Sequence, residues 1–179
     1  RPVLASRTLR DHEEARRPAD GPGDAPVRTV GQVPTVSTSY PGGPPGPRVV
    51  IDHVQVSTIG LDATVEVQLG AGDRRTTGVS TGPAVDGYVL RLCAASAAIA
   101  VDALLQSADR PSEQGRCFVE HAAVVPFGNC EVATVVVLLV CDGWVEQLAG
   151  SALVSGDPRQ AVVRATLAAV NRRLEALLA

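Results

Sequence analysis

All three histidines in this chain follow an acid, and two of the pairs, Asp52-His53 and Glu120-His121, fall near the start of a stretch that reads as β-strand. An acid beside an imidazole is raw material for general acid–base catalysis. Strict strand alternation, however, sends neighbouring side chains to opposite faces, so each carboxylate is expected across the strand from its histidine. The reading is two structural or exposed histidines and no ready dyad. The four cysteines, Cys93, Cys117, Cys130 and Cys141, include no Cys-x-x-Cys pair. Cys117 and His121 are two ligands without a second pair, so no metal site is expected, and the thiols read as reduced core residues. Ser80, Ser96 and Ser151 lack a nucleophile-elbow context. With no acid–base pair, metal set or activated nucleophile, the sequence reads as non-catalytic and cofactor-free.

Binding chemistry has better candidates. Residues 77–86 and 150–160 read as loops leading from strand to helix, and they contain Gly78, Gly82, Pro83 and Asp86 in the first and Gly150 and Asp157 in the second. Glycines admit a ligand close to the backbone, and a helix N-terminus offers free N–H groups to a carboxylate or phosphate. The same glycines and proline also suit plain turns, and Asp157 suits an N-cap. The ligand expected there is a small anionic or zwitterionic metabolite such as an amino acid.

These loops need a scaffold, and the chain divides into two textures. Residues 1–47 hold nine of the thirteen prolines and nearly balanced charge, ending in the Pro/Gly run at 40–47. Proline removes backbone donors, so this part reads as a disordered arm or linker, able to tether a protein partner. Residues 48–179 read as one α+β domain. Strands are expected at 48–58, 61–69 and 74–80, then a helix at 84–107 with the apolar stripe Val85, Val89, Leu92, Ser96, Ile99 and Ala103. A second set follows, with strands at 117–127, 131–140 and 144–154. Its helix begins at Asp157-Pro158-Arg159-Gln160, where Asp157 caps, Pro158 takes the first helical position and Gln160 suits a capping box.

Sliding the chain on itself by about seventy residues lays the segment at 63–69 over that at 133–139, and the order strand, strand, strand, helix recurs. The expected architecture is two pseudo-symmetric units, at 48–108 and 116–179, packed into one sheet-and-helix domain behind a disordered arm. Gly82-Pro83-Ala84-Val85-Asp86 ahead of the first helix, and the run at 163–172 closing on Val170-Asn171-Arg172, resemble the regulatory C-terminal domain of α-isopropylmalate synthase. Trp144 and Gly150 are similarly placed. The resemblance covers residues 48–179 and implies a dimerising domain with an effector between its pseudo-symmetric units near the strand-to-helix loops, where Asp86 or Asp157 would orient an amino group. The synthase's catalytic barrel is absent, and Ala152-Leu153-Val154 stands where the family carries glycines.

Composition narrows the partners. The five aromatic residues leave a core of Val, Leu and Ala and no stacking platform for bases, and a net charge of −3 with a pI near 5.6 argues against nucleic acid. The longest apolar run, at 132–141, is about half a membrane span, so no membrane association is expected. No leader is recognisable and the cytoplasm is the default compartment. The chain opens on Arg1 and contains no Met, which leaves a start further upstream open. Trp144 after a turn suggests a homodimer interface. Two readings stay open: a dimerising metabolite-binding module, or an assembly module tethered through residues 1–47 with no small ligand.

Overall fold

A computed structural model describes residues 46–107, 115–141 and 143–179; of the arm expected at 1–47, residues 1–45 lie outside the described residues, whereas Gly46 is tied to the domain, its N–H donating to Glu175 O at 2.9 Å. The chain runs β1 (Val49–Ile59), β2 (Asp62–Ala71), β3 (Arg74–Pro83), α1 (Asp86–Gln106), β4 (Gly115–Phe127), β5 (Cys130–Cys141), β6 (Trp144–Leu153) and α2 (Pro158–Leu177). Each trio of strands forms its own antiparallel sheet, in the orders β1-β2-β3 and β4-β5-β6. The strand-strand-strand-helix repeat is thus the architecture of the domain.

Alternation explains the sheets. On β2 the residues Ala63, Val65, Val67 and Leu69 are fully buried, while Asp62 and Glu66 face out. On β5 the buried set is Ala133, Val135, Val137, Leu139 and Cys141. The tight turns fall where glycine permits a left-handed backbone, at Gly60, Gly72, Gly128 and Gly143.

The helices form the middle of the domain. They pack against one another; α1 also covers β2 and β3 and reaches β4, and α2 covers β5 and β6 and reaches β1. Each helix therefore contacts both sheets. The buried positions of α1 sweep more than half its circumference at about 100° per residue, from Ser96 and Ala100 through Ala97 and Leu104 to Ala98 and Leu105. This corrects the expected stripe in part: Val89 and Ser96 are buried as expected, but Val85 is 60% exposed and Ile99 42%, whereas Ala94, Ala97 and Ala98 are buried. Periodicity points to large apolar residues, but a helix squeezed between two sheets buries its alanines. α1 is also long and apolar enough to cross a membrane by composition, and much of its apolar surface is buried here.

Glycine sets the helix-to-sheet spacing at two equivalent places. A Cβ on Gly78 of β3 would overlap Ser96 O and sit 2.6 Å from Ala100 N; one on Gly150 of β6 would overlap Ala165 O and sit 3.0 Å from Ala169 Cα. These contacts fix the internal equivalence. Gly78 pairs with Val67 and Gly150 with Val135, so the middle strands superpose with a shift of 68 residues (67 to 135) and the third strands with one of 72 (78 to 150). The helices follow with a shift of 69 (96 to 165). The second hairpin is longer by two residue pairs, ending at Cys141 opposite Trp144 where the first ends at Ala71 opposite Arg74.

The first unit carries an added polar staple. Ser96 Oγ lies 2.9 Å from Val65 O and 2.7 Å from Ser80 Oγ, so Ser80 donating to Ser96 and Ser96 to the carbonyl satisfies both hydroxyls. Thr76 donates to Ala100 O at 2.8 Å.

Three of the four cysteines, Cys93, Cys117 and Cys141, are buried and none is in a disulfide. Cys130 departs from the core-thiol reading: it is exposed beside the β4–β5 turn and donates to Phe127 O. Burial pushes the Cys93 thiol up to about 11 and that of Cys117 to about 12. A thiol reagent at neutral pH is therefore expected to titrate one cysteine rapidly and the other three only on unfolding, and Cys130→Ser to remove the fast phase.

Candidate functional site

The two acid–histidine pairs sit on β-bulges. Register slips between Ile51 and His53 and between Val119 and His121, so the extra residue in each strand is the acid. A bulge breaks alternation and swings its residue round. Asp52 consequently joins His53 on the outer face and pairs with Arg75 at 2.7 Å, while Glu120 joins His121 there and accepts from Gln147 Nε2 at 2.5 Å. The expectation that acid and imidazole occupy opposite faces fails for this reason. Each acid has another partner, and among the described residues no group of three His, Cys, Asp or Glu side chains could hold a metal ion.

Of the six loop residues singled out from sequence, Gly78 and Gly150 lie within strands beneath the helices, where they permit close packing. Gly82 and Pro83 end β3, with Gly82 against the Leu92 side chain. Asp86 is an exposed first residue of α1, whose N-cap Val85 makes no side-chain cap. Asp157 caps α2 by accepting from Arg159 N at 2.9 Å. Gln160, placed by sequence in a capping box, lies instead along a groove.

That groove is the seam between the units on the α2 side. Its walls are Arg48 with the start of β1 (Val49 to Ile51) and β6 (Ser151, Ala152), and its floor is α2 (Arg164, Leu167, Ala168, Asn171), enclosing about 540 Å³. It continues past Ile51 and Arg164 into a second hollow of about 390 Å³ lined by Asp52, His53 and Gln160. Floor and walls are largely aliphatic, and polar groups stand at separate points. Arg164 uses one donor of its fork on Leu153 O at 3.0 Å. Asn171 Nδ2 donates to Val49 O at 3.2 Å, and its Oδ1 is buried with no hydrogen-bond partner among the described residues.

Pseudo-symmetry shows why this seam is open. The counterpart of Asn171 on α1 is Asp102, which accepts from the backbone N–H of Cys117 at 2.6 Å, and Cys117 is the counterpart of Val49. Each helix thus ties an edge group on the first strand of the other unit. Arg91, counterpart of Gln160, lies over the Val119 and Glu120 carbonyls at 3.4 Å. Where Arg91 spans its seam, the shorter Gln160 leaves the other hollow. Burial holds the Asp102 carboxyl above its ordinary value, against the lowering effects of the Cys117 N–H and of Arg116 at 3.7 Å.

None of the groove residues reads from sequence as a ligand contact: Asp52 and His53 stand out as an acid–histidine pair, Gln160 as a capping-box residue and Asn171 only within Val170-Asn171-Arg172, while Arg164 does not stand out. Arg164 and Asn171 lie mid-helix with no local signature, and Asn171 meets its partner on β1, 122 residues earlier. No protein-family model matches the chain, and no curated protein matches it.

Proposed function

We propose that the β1–α2 groove binds a small metabolite carrying a carboxylate, an N–H or O–H donor and an aliphatic portion, an α-amino acid being the simplest such molecule. The observation that carries this reading is Asn171, a residue of the groove floor whose buried Oδ1 has no hydrogen-bond partner among the described residues. Leaving such a group unpaired costs about 1–3 kcal/mol, and an ammonium or hydroxyl donor relieves it. Arg164 and Arg48 supply cations for the carboxylate, and Ile51, Leu167, Ala168 and Ala152 an apolar surface for the tail. A ligand with all three features is held at three points in one orientation. The module has no catalytic role in this reading; it senses a metabolite, as its resemblance to the synthase regulatory domain also suggests.

The test is thermal unfolding of the full chain across a panel of α-amino, α-hydroxy and α-keto acids. A bound member at a hundredfold excess over its Kd is expected to raise Tm by about 5–10 °C. Arg164→Ala should weaken that ligand at least tenfold in calorimetry, and Asn171→Leu should abolish discrimination in favour of donor-bearing members. A panel without any shift, or binding untouched by both substitutions, would overturn the proposal.

A further inference from the structure

The two sheets share a fold but not an outer surface. Read from the strand register, the outward positions of the first sheet are mostly polar, Asp62, Thr64, Glu66 and Gln68 on β2 among them, with Val50, Ile59, Val79 and Pro83 as apolar exceptions toward its rim. The second sheet presents Phe118 and Val125 on β4, Val132, Val136, Leu138 and Val140 on β5, and Val145, Ala149 and Leu153 on β6, with Arg116, Glu120, His121, Thr134, Gln147 and Ser151 as the polar exceptions. Phe118 is 47% exposed, Val145 64% and Leu153 60%. The first unit keeps the middle strand of this face polar and the second makes it apolar, so the apolar surface is not demanded by the fold.

We infer that the outer face of β4-β5-β6 is an isologous interface that pairs two copies of this chain. Ten paired positions at about 3.4 Å and three strands about 4.8 Å apart give a face of roughly 34 by 14 Å. That is about 500 Å² before side-chain relief and the flanking Phe127 are added, approaching the ~800 Å² that each partner contributes to a standard stable interface. Sheets stack face to face through such surfaces, and two-fold closure needs only this one patch. The charges on the face suit a second copy. Arg116 and Glu120 lie about four residues apart on β4, on either side of the row Phe118–Leu138–Gln147. A two-fold axis along that row sets Arg116 of one copy against Glu120 of the other. A membrane-docking face would instead carry an excess of cations, and this one carries both signs.

Sedimentation of the full chain is expected to give twice the 18.5 kDa chain mass at micromolar concentration. Val136→Lys, at the centre of the face, and Val145→Lys, at its exposed edge, should each weaken self-association at least a hundredfold. Gln68→Lys, at the equivalent place on the first sheet, should leave it unchanged. Val145 is exposed in the single chain, so its variant reads the interface even if Val136→Lys impairs folding, which circular dichroism would report. A monomeric wild-type chain, or a Val145→Lys variant that sediments as the wild type does, overturns the inference.

Discussion

Replacing Gly78 or Gly150 with alanine is expected to cost about 3 kcal/mol at each site, near the upper end for overpacking, and the two together to leave no folded chain. The added methyl meets backbone, not a side chain: Ser96 O and Ala100 N in one unit, Ala165 O and Ala169 N in the other. Neither helix can yield alone, because each is held from the opposite side by the other sheet. Relief requires moving a whole helix, along with its contacts to β4 or β1. Folded domains are stable by about 5–15 kcal/mol, so two such losses consume most of the margin. Gly87→Ala is the control. That glycine lies in the first turn of α1 with open space around it, and alanine there is expected to add about 0.5–1 kcal/mol through helix propensity and reduced unfolded-state freedom. Urea unfolding followed by circular dichroism measures all three. A cost below 1 kcal/mol at Gly78 or Gly150 would contradict the packing described.

The second large effect is at Asp102. Asp102→Ala removes the acceptor of the Cys117 N–H and leaves a partly buried donor unpaired, for about 2 kcal/mol. Asp102→Asn keeps an acceptor oxygen and installs the residue that α2 carries at the equivalent place, Asn171. The pH dependence separates the two effects. Burial raises the native pKa of Asp102 above the ordinary 3.8, so the native state binds its proton more tightly than the unfolded chain does. Stability from this group is therefore present below pH 3.8, is lost as pH rises through the raised native value, and is constant above it. Asp102→Asn has no such proton. Its stability relative to wild type should climb across that window and then level off, leaving it at least as stable as wild type at neutral pH. Melting both proteins from pH 3 to 8 decides this; a flat difference would show that burial does not govern the carboxyl.

The sequence made the order of elements legible because the hydrophobic period changes clearly between two and 3.6 along the chain. It left the register open for the same physical reason. Laying 63–69 over 133–139 is two residues away from the structural match of Val67 with Val135. A strand that alternates Ala and Val is unchanged in pattern by a shift of two, so only the glycine under each helix reveals the correct offset. The bulges at Asp52 and Glu120 carry no glycine or proline signal and depend on pairing with β2 and β5. The groove was hidden more deeply. Arg164 and Asn171 look like ordinary helix-surface residues until β1 of the other unit arrives beside them, and no local pattern encodes that meeting. Glycines before helices seemed to mark ligand loops, whereas Gly78 and Gly150 are spacers.

The crossed contacts, α1 onto β4 and α2 onto β1, also bear on how the chain is made. Residues through Gln106 emerge from the ribosome as three strands and a helix whose flank, including Leu105, has no cover until Gly115 and Cys117 are synthesised. The first half is thus an unfinished object with an open apolar side, and the second half is its lid. Neither unit is a domain in the sense of something that can be born alone, even though each repeats the other. A sequence built by repetition has become a single folding transaction.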